Sequence, residues 1–151
     1  MARILKPAFG RQLSVSLDGN VGPRGGNERG DVGVVQFALL LLSSGIPSPA
    51  GGRSGGGLEV PGQGTIAVDG FFGPQTSAFI RAYQARRVLS PGPTTGKLPN
   101  PDGNFGNFQR NPWNFGLLQT DVESALPGTD FLDRMRSDPR APAFLKPFFF
   151  I

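Results

Sequence analysis

Val68-Asp69-Gly70-Phe71-Phe72-Gly73-Pro74-Gln75-Thr76 is the stretch that decides the fold. Asp69-Gly70 is a turn signal, because glycine adopts backbone shapes that other residues reach only at a cost. Gly73-Pro74 then opens a helix. Proline at the first helical position loses nothing, since its missing N–H would have no partner there. Ala78, Phe79, Ala82 and Tyr83 give adjacent pairs on the buried side of that helix, which spans residues 74–87.

Working outward, Gly30-Asp31-Val32 begins an earlier helix over residues 29–44. Asp31 is read as its N-cap, and Val32, Val35, Leu39 and Leu42 fall at helical spacing on one apolar face. Gly45 closes the last turn. Gln36 and Gln84 lie on or beside apolar faces. Their amides are expected to be buried and bonded to turn backbone, with ligand contact the alternative.

In this order, Gly30, Val32, Val35, Gln36 and Leu39, then Asp69, Gly70, Phe72, Gly73, Thr76, Ala78, Tyr83 and Gln84, resemble the small peptidoglycan-binding domain found in many cell-wall hydrolases. The match covers about a third of the chain, and Tyr83 stands where phenylalanine is usual. Pro101-Asp102-Gly103 resembles the second Asp-Gly turn that precedes a third helix in this family, which implies a helix over Leu117 to Leu126, apolar at Leu117, Leu118, Val122 and Leu126. Asp121 and Glu123 sit near its start, where the helix dipole favours acids. The lead-in from Leu17 to Asp31 is similar to the variant that travels with phage-tail-like and injection-system proteins. The resemblance implies a mainly α fold with a three-helix core at residues 29–126; outside that pattern, residues 1–28 read as an N-terminal β or irregular arm and 127–151 as an extended C-terminal tail. It also implies ligand in a shallow groove at Asp69, Gly70, Phe71 and Thr76, with Arg81 nominated from its place on the second helix. Phe72 matches the family's core aromatic, and Phe71 holds the variable, exposed position. Arg81 could pair with a stem-peptide carboxylate through its planar fork. Thr76 also sits where its hydroxyl can bond first-turn backbone.

The arm carries Gln12-Leu13-Ser14-Val15-Ser16-Leu17, which alternates as a half-buried strand, with Asp18-Gly19-Asn20 as its turn. Residues 45–67 form a Gly-, Pro- and Ser-rich insertion, longer than the family's usual connection. Gly 23 and Pro 15 make up about a quarter of the 151 residues, yet Phe 13 is too aromatic for a disordered chain. These proportions predict a small helical core wrapped in long loops.

Chemistry is sparse. The chain has His 0 and Cys 0, which removes histidine-dependent zinc amidases, Ser-His-Asp hydrolysis and cysteine nucleophiles. Gly52-Arg53-Ser54-Gly55-Gly56 fits the G-x-S-x-G pattern, but it has no histidine partner and reads as linker. Glycoside hydrolysis needs two carboxylates held close, and the acids here are spread out with simpler roles. The expectation is a binding module without cofactor or metal, not an enzyme.

The net charge of +4 and pI near 10.3 permit contact with anionic polymers, but Lys and Arg are scattered, so no nucleic-acid stripe is expected. Phe37 to Leu42 is far too short to span a membrane. No signal peptide is read in Met1 to Gly10. The expected setting is therefore synthesis in the cytoplasm and action in a particle or at the wall after non-classical export, with peptidoglycan and assembly subunits as partners. The alternative is a structural adaptor of a phage or contractile injection particle. At the C-terminus, Phe144, Leu145, Phe148, Phe149, Phe150 and Ile151 are too apolar for water and are expected to dock on a neighbouring subunit.

Overall fold

The computed structural model describes residues 3–5, 14–47, 53–54, 56–90, 100–106, 113, 115–126 and 130–148. Among them the chain is mainly α-helical. Two short antiparallel pairs accompany the helices: β1 (Arg3–Leu5) with β2 (Ser14–Ser16), and β3 (Ile46–Pro47) with β4 (Arg53–Ser54). The helices are α1 (Arg29–Ser44), α2 (Pro74–Leu89), α3 (Phe115–Ala125) and α4 (Phe131–Ser137), followed by a 3-10 turn over Ala143–Phe148. All three predicted helices are present, with ends shifted by a few residues at most.

Helix α1 is the centre of the molecule. Its spacing predicts one apolar face, but every residue from Gly30 to Leu42 is buried. Val34, Phe37, Ala38, Leu40 and Leu41 are as enclosed as Val32, Val35 and Leu39. A helix buried all round needs neighbours on every side. Here α2, α3, the N-terminal segment and the C-terminal turn provide them. Gly45 ends the helix as expected, its N–H donating to Leu41 O at 2.9 Å.

The arm belongs to the same core. Val15, Leu17 and Val21 are buried in it. Val15 N donates to Gln119 Oε1 at 2.9 Å, which fastens β2 to α3. Asp31 is not the N-cap of α1. Glu28 holds that position, and Asp31 lies inside the first turn, fully buried. Its Oδ1 accepts from Asp18 N at 3.4 Å and its Oδ2 from Gly19 N at 3.0 Å. It therefore secures the Asp18-Gly19 turn of the arm. Burial pushes its carboxyl above the ordinary value, and the Gly19 and Asp18 amides offset only part of that rise.

The described residues of the insertion do not read as linker alone. Leu58 and Ile66 reach the core, and the Ser54 of the G-x-S-x-G pattern lies in β4 opposite Ile46. That is a strand pair, not the strand-to-helix elbow a serine nucleophile requires.

Described parts of the C-terminal segment also join the core, against the expectation of an extended tail outside it. Asp130 caps α4, its carboxylate accepting from Leu132 N at 2.8 Å. Phe131 packs between Phe37 and Phe115, with ring centroids 5.9 and 5.5 Å away. Glu123 Oε1 accepts from Phe131 N at 3.2 Å, so this acid ties α3 to α4 instead of serving the dipole of its own helix. Arg140 closes the segment. It grips Asp138 and donates to Gly45 O at 2.9 Å.

Phe144 and Leu145 dock on α1 of their own chain, which corrects the neighbouring-subunit assignment for these two residues. The physical reason is Gly33. A Cβ there would lie 2.8 Å from Phe144 Cε2 and 3.0 Å from Leu145 Cδ2, so only glycine lets the turn approach. Leu145 is completely buried, a gain of roughly 1.5–3 kcal/mol. The side chain of Phe148, and all of Phe149, Phe150 and Ile151, lie outside the described residues.

Candidate functional site

The Asp69-Gly70 turn is held by a single side chain, Gln36. Its Oε1 accepts from Asp69 N at 3.1 Å and from Gly70 N at 2.8 Å. Its Nε2 donates to Asp69 Oδ1 and Phe71 O, both at 3.0 Å, and to Thr76 Oγ1 at 2.9 Å. One buried amide thus fixes the turn to α1 and to the start of α2 together. Gly70 has φ 79°, the left-handed region that favours glycine.

The Asp102-Gly103 turn is held the same way by Gln84. Its Oε1 accepts from Gly103 N at 2.8 Å. Its Nε2 donates to Asp102 Oδ1 at 3.3 Å and to Asn104 O at 2.8 Å. In both turns the aspartate accepts from the N–H two residues on: Phe71 at 2.9 Å and Asn104 at 2.9 Å. Gly103 has φ 77°. Thus Asp-Gly-x-Phe-Gly occurs twice, each copy clasped by a helical glutamine. Phe105 of the second copy is fully buried and forms a backbone bridge with Val21 in both directions, at 2.8 and 2.7 Å. The glutamines act through turn backbone, as their sequence positions predict.

The five nominated ligand residues divide. Thr76 is buried and its hydroxyl is taken by Gln36, so it joins elements and offers nothing to a ligand. Gly70 is buried too: a Cβ there would lie 2.4 Å from Arg29 Cγ and 2.9 Å from Arg29 O. Asp69 and Phe71 reach the surface. Burial costs the Asp69 charge something, but the Phe71 amide and Gln36 outweigh it, and Arg29 adds to them, so the carboxyl is held below its ordinary value. Phe71 is 66% exposed, while Phe72 packs against the core.

Arg29 is a member of this face that sequence reasoning missed. Its guanidinium carbon sits 5.5 Å from the Phe71 ring centroid and 4.3 Å from that of Phe144. Stacking of this kind holds the cation in place at the surface. The signal was its position one residue before Gly30, but nothing in sequence spacing links residue 29 to residues 71 and 144.

Arg81 belongs elsewhere. It lines a cleft of about 560 Å³ together with Asn20, Arg24, Pro101, Asp102 and Asn104, and none of Asp69, Gly70, Phe71 or Thr76 contributes to that cleft. A smaller cleft of about 300 Å³ lies between α2 and α3. There the Tyr83 hydroxyl donates to Asp121, and Arg87 Nε lies 3.1 Å from Asp121 Oδ2. Burial, with the Asp121 charge beside it, pushes the Tyr83 phenol up. Burial likewise raises Asp121, against Tyr83 and Arg87, which lower it. This cluster pins α3 to α2. Compared with protein-family models, curated proteins and solved structures, the chain finds no match.

Proposed function

We propose that the chain is a non-catalytic peptidoglycan-binding module that positions a particle or a partner enzyme at the cell wall. The carrying observation is the clasped first turn. Gln36 fixes Asp69-Gly70 so that Phe71 stands 66% exposed beside a stacked Arg29. An exposed ring can cover the apolar face of a sugar, and an adjacent guanidinium suits a stem-peptide carboxylate. Two Asp-Gly turns and three helices in the family's order support the same reading.

Sedimentation with purified insoluble peptidoglycan tests it. Wild type should pellet. Phe71→Ala should stay in the supernatant with an unchanged melt, and binding should weaken as salt rises. No soluble muropeptides should be released. Wild type that fails to pellet at low salt overturns the reading.

The second reading is a structural adaptor in a phage or injection particle. The observation favouring it is the apolar end of α2, where Leu89 is 84% and Val88 is 36% exposed. Exposed apolar patches of this kind mark protein contacts.

A further inference from the structure

The two clasped turns differ in what lies beside them. The helix position three residues before the clasping glutamine is Gly33 in one and Arg81 in the other. Phe144 fills the space over Gly33. Over Gly103, Arg81 Nη2 would lie 3.2 Å from an added Cβ, and the neighbouring volume is an open cleft.

The walls of that cleft are fixed. The Val21–Phe105 bridge joins the loop bearing Arg24 to the turn bearing Asn104, and Arg24 N donates to Asn104 Oδ1 at 3.3 Å. Asp102 Oδ1 is occupied by Asn104 N and Gln84. Its Oδ2 has no partner among the described residues. Neither the Arg24 nor the Arg81 guanidinium has an ion-pair partner among them. Two unpaired cations and one half-used carboxylate therefore face a polar cleft.

We propose that this cleft binds an α-amino-acid head group, in which a carboxylate and an ammonium share one carbon. The carboxylate pairs with Arg24 and Arg81, whose planar forks match its two oxygens. The ammonium pairs with Asp102 Oδ2. A simple anion would meet Asp102 as a repulsive neighbour, and a simple cation would meet both arginines, so the zwitterion is the better complement.

The probe is Nε-acetyl-lysine, which carries the head group on a neutral tail. It is titrated into the full chain while the amide NMR signals of Arg24, Gly103 and Asn104 are followed. Saturable shifts are expected. Blocking the ammonium (Nα,Nε-diacetyl-lysine) or the carboxylate (Nε-acetyl-lysinamide) should each weaken binding about two- to fivefold, the scale of one exposed ion pair. Arg81→Gln and Asp102→Asn should do the same with unchanged melts; the asparagine keeps the Oδ1 acceptor that the turn needs. Arg81→Lys, a charge without the fork, should fall between. Absence of saturation up to about 10 mM, blocked analogues that bind as well as the probe, or variants indistinguishable from wild type would each overturn the proposal. The cleft shares no lining residue with the Phe71 face. Probe binding without wall sedimentation therefore strikes only the wall reading, and the reverse result strikes only this one.

Discussion

The first and second Asp-Gly turns use one hydrogen-bonding scheme in two surroundings. At the first, Gly70 is pressed under the backbone of α1, and Phe144 and Leu145 cover the adjoining helix at Gly33. At the second, Gly103 lies under the end of a flexible arginine, and the adjoining space is open. The comparison teaches that the clasp is a joint, indifferent to what borders it. What borders each joint is set by the residue three positions earlier on the helix and by which distant segment folds over it.

The largest contrast should come from the glycines. Gly70→Ala adds a Cβ at φ 79° and only 2.9 Å from Arg29 O, a backbone atom that cannot turn away. Positive-φ strain of about 1–2 kcal/mol and overpacking of about 1–3 kcal/mol add there. Gly103→Ala meets only the tip of Arg81, at 3.2 Å, and should cost the strain alone. Chemical denaturation of both variants checks the ordering. Equal losses would show that the two surroundings do not differ in rigidity.

The glutamines sharpen the same comparison at a smaller scale. Gln36→Ala strands Gly70 N and frees Thr76 Oγ1 and Asp69 together, and should cost about 2–3 kcal/mol. Gln84→Ala removes three bonds at a turn with no counterpart to Thr76, and should cost about 1–2 kcal/mol. A reversed order would mean that the second turn, not the first, is the principal joint.

The smallest effect is electrostatic. Asp69 is held below its ordinary value of 3.8, so its charge contributes stability above that pH and loses it as pH falls through the folded value. Asp69→Asn keeps the Oδ1 acceptor and removes only the charge. The exposed position limits the loss to less than about 1 kcal/mol at pH 7. The gap between the two melts should close as pH falls below 3.8. A gap unchanged in strong acid would assign the effect to geometry instead of charge.

Much of the fold was legible in the sequence because its signals are local. Gly45 as a terminator, Pro74 as an initiator and the apolar spacings of all three helices depend on neighbours a few residues away. Phe72 inward and Phe71 outward came from the resemblance, not from a local signal. The site was less legible. Arg81 and Phe71 read as one groove in sequence, yet they belong to different faces, because Arg81, midway along α2, lies over Gly103 of the second Asp-Gly turn and not beside the first. The seat of Phe144 had one faint signal, a glycine inside α1 at a cost of about 1 kcal/mol against alanine. Its reason lies 111 residues along the chain, at Phe144.

The sequence by itself determined α1 and α2, the Asp69-Gly70 turn, the buried role of Gln36 and Gln84, and the absence of histidine and cysteine chemistry. Each is a matter of backbone propensity, short-range periodicity or composition. Only the tertiary structure decided that α1 is enclosed on all sides, that Asp31 serves the arm instead of its own helix, that Arg29 stacks on Phe71, and that the C-terminal turn covers Gly33. Those outcomes depend on contacts between segments distant in sequence, where packing and desolvation, not local preference, choose the partner.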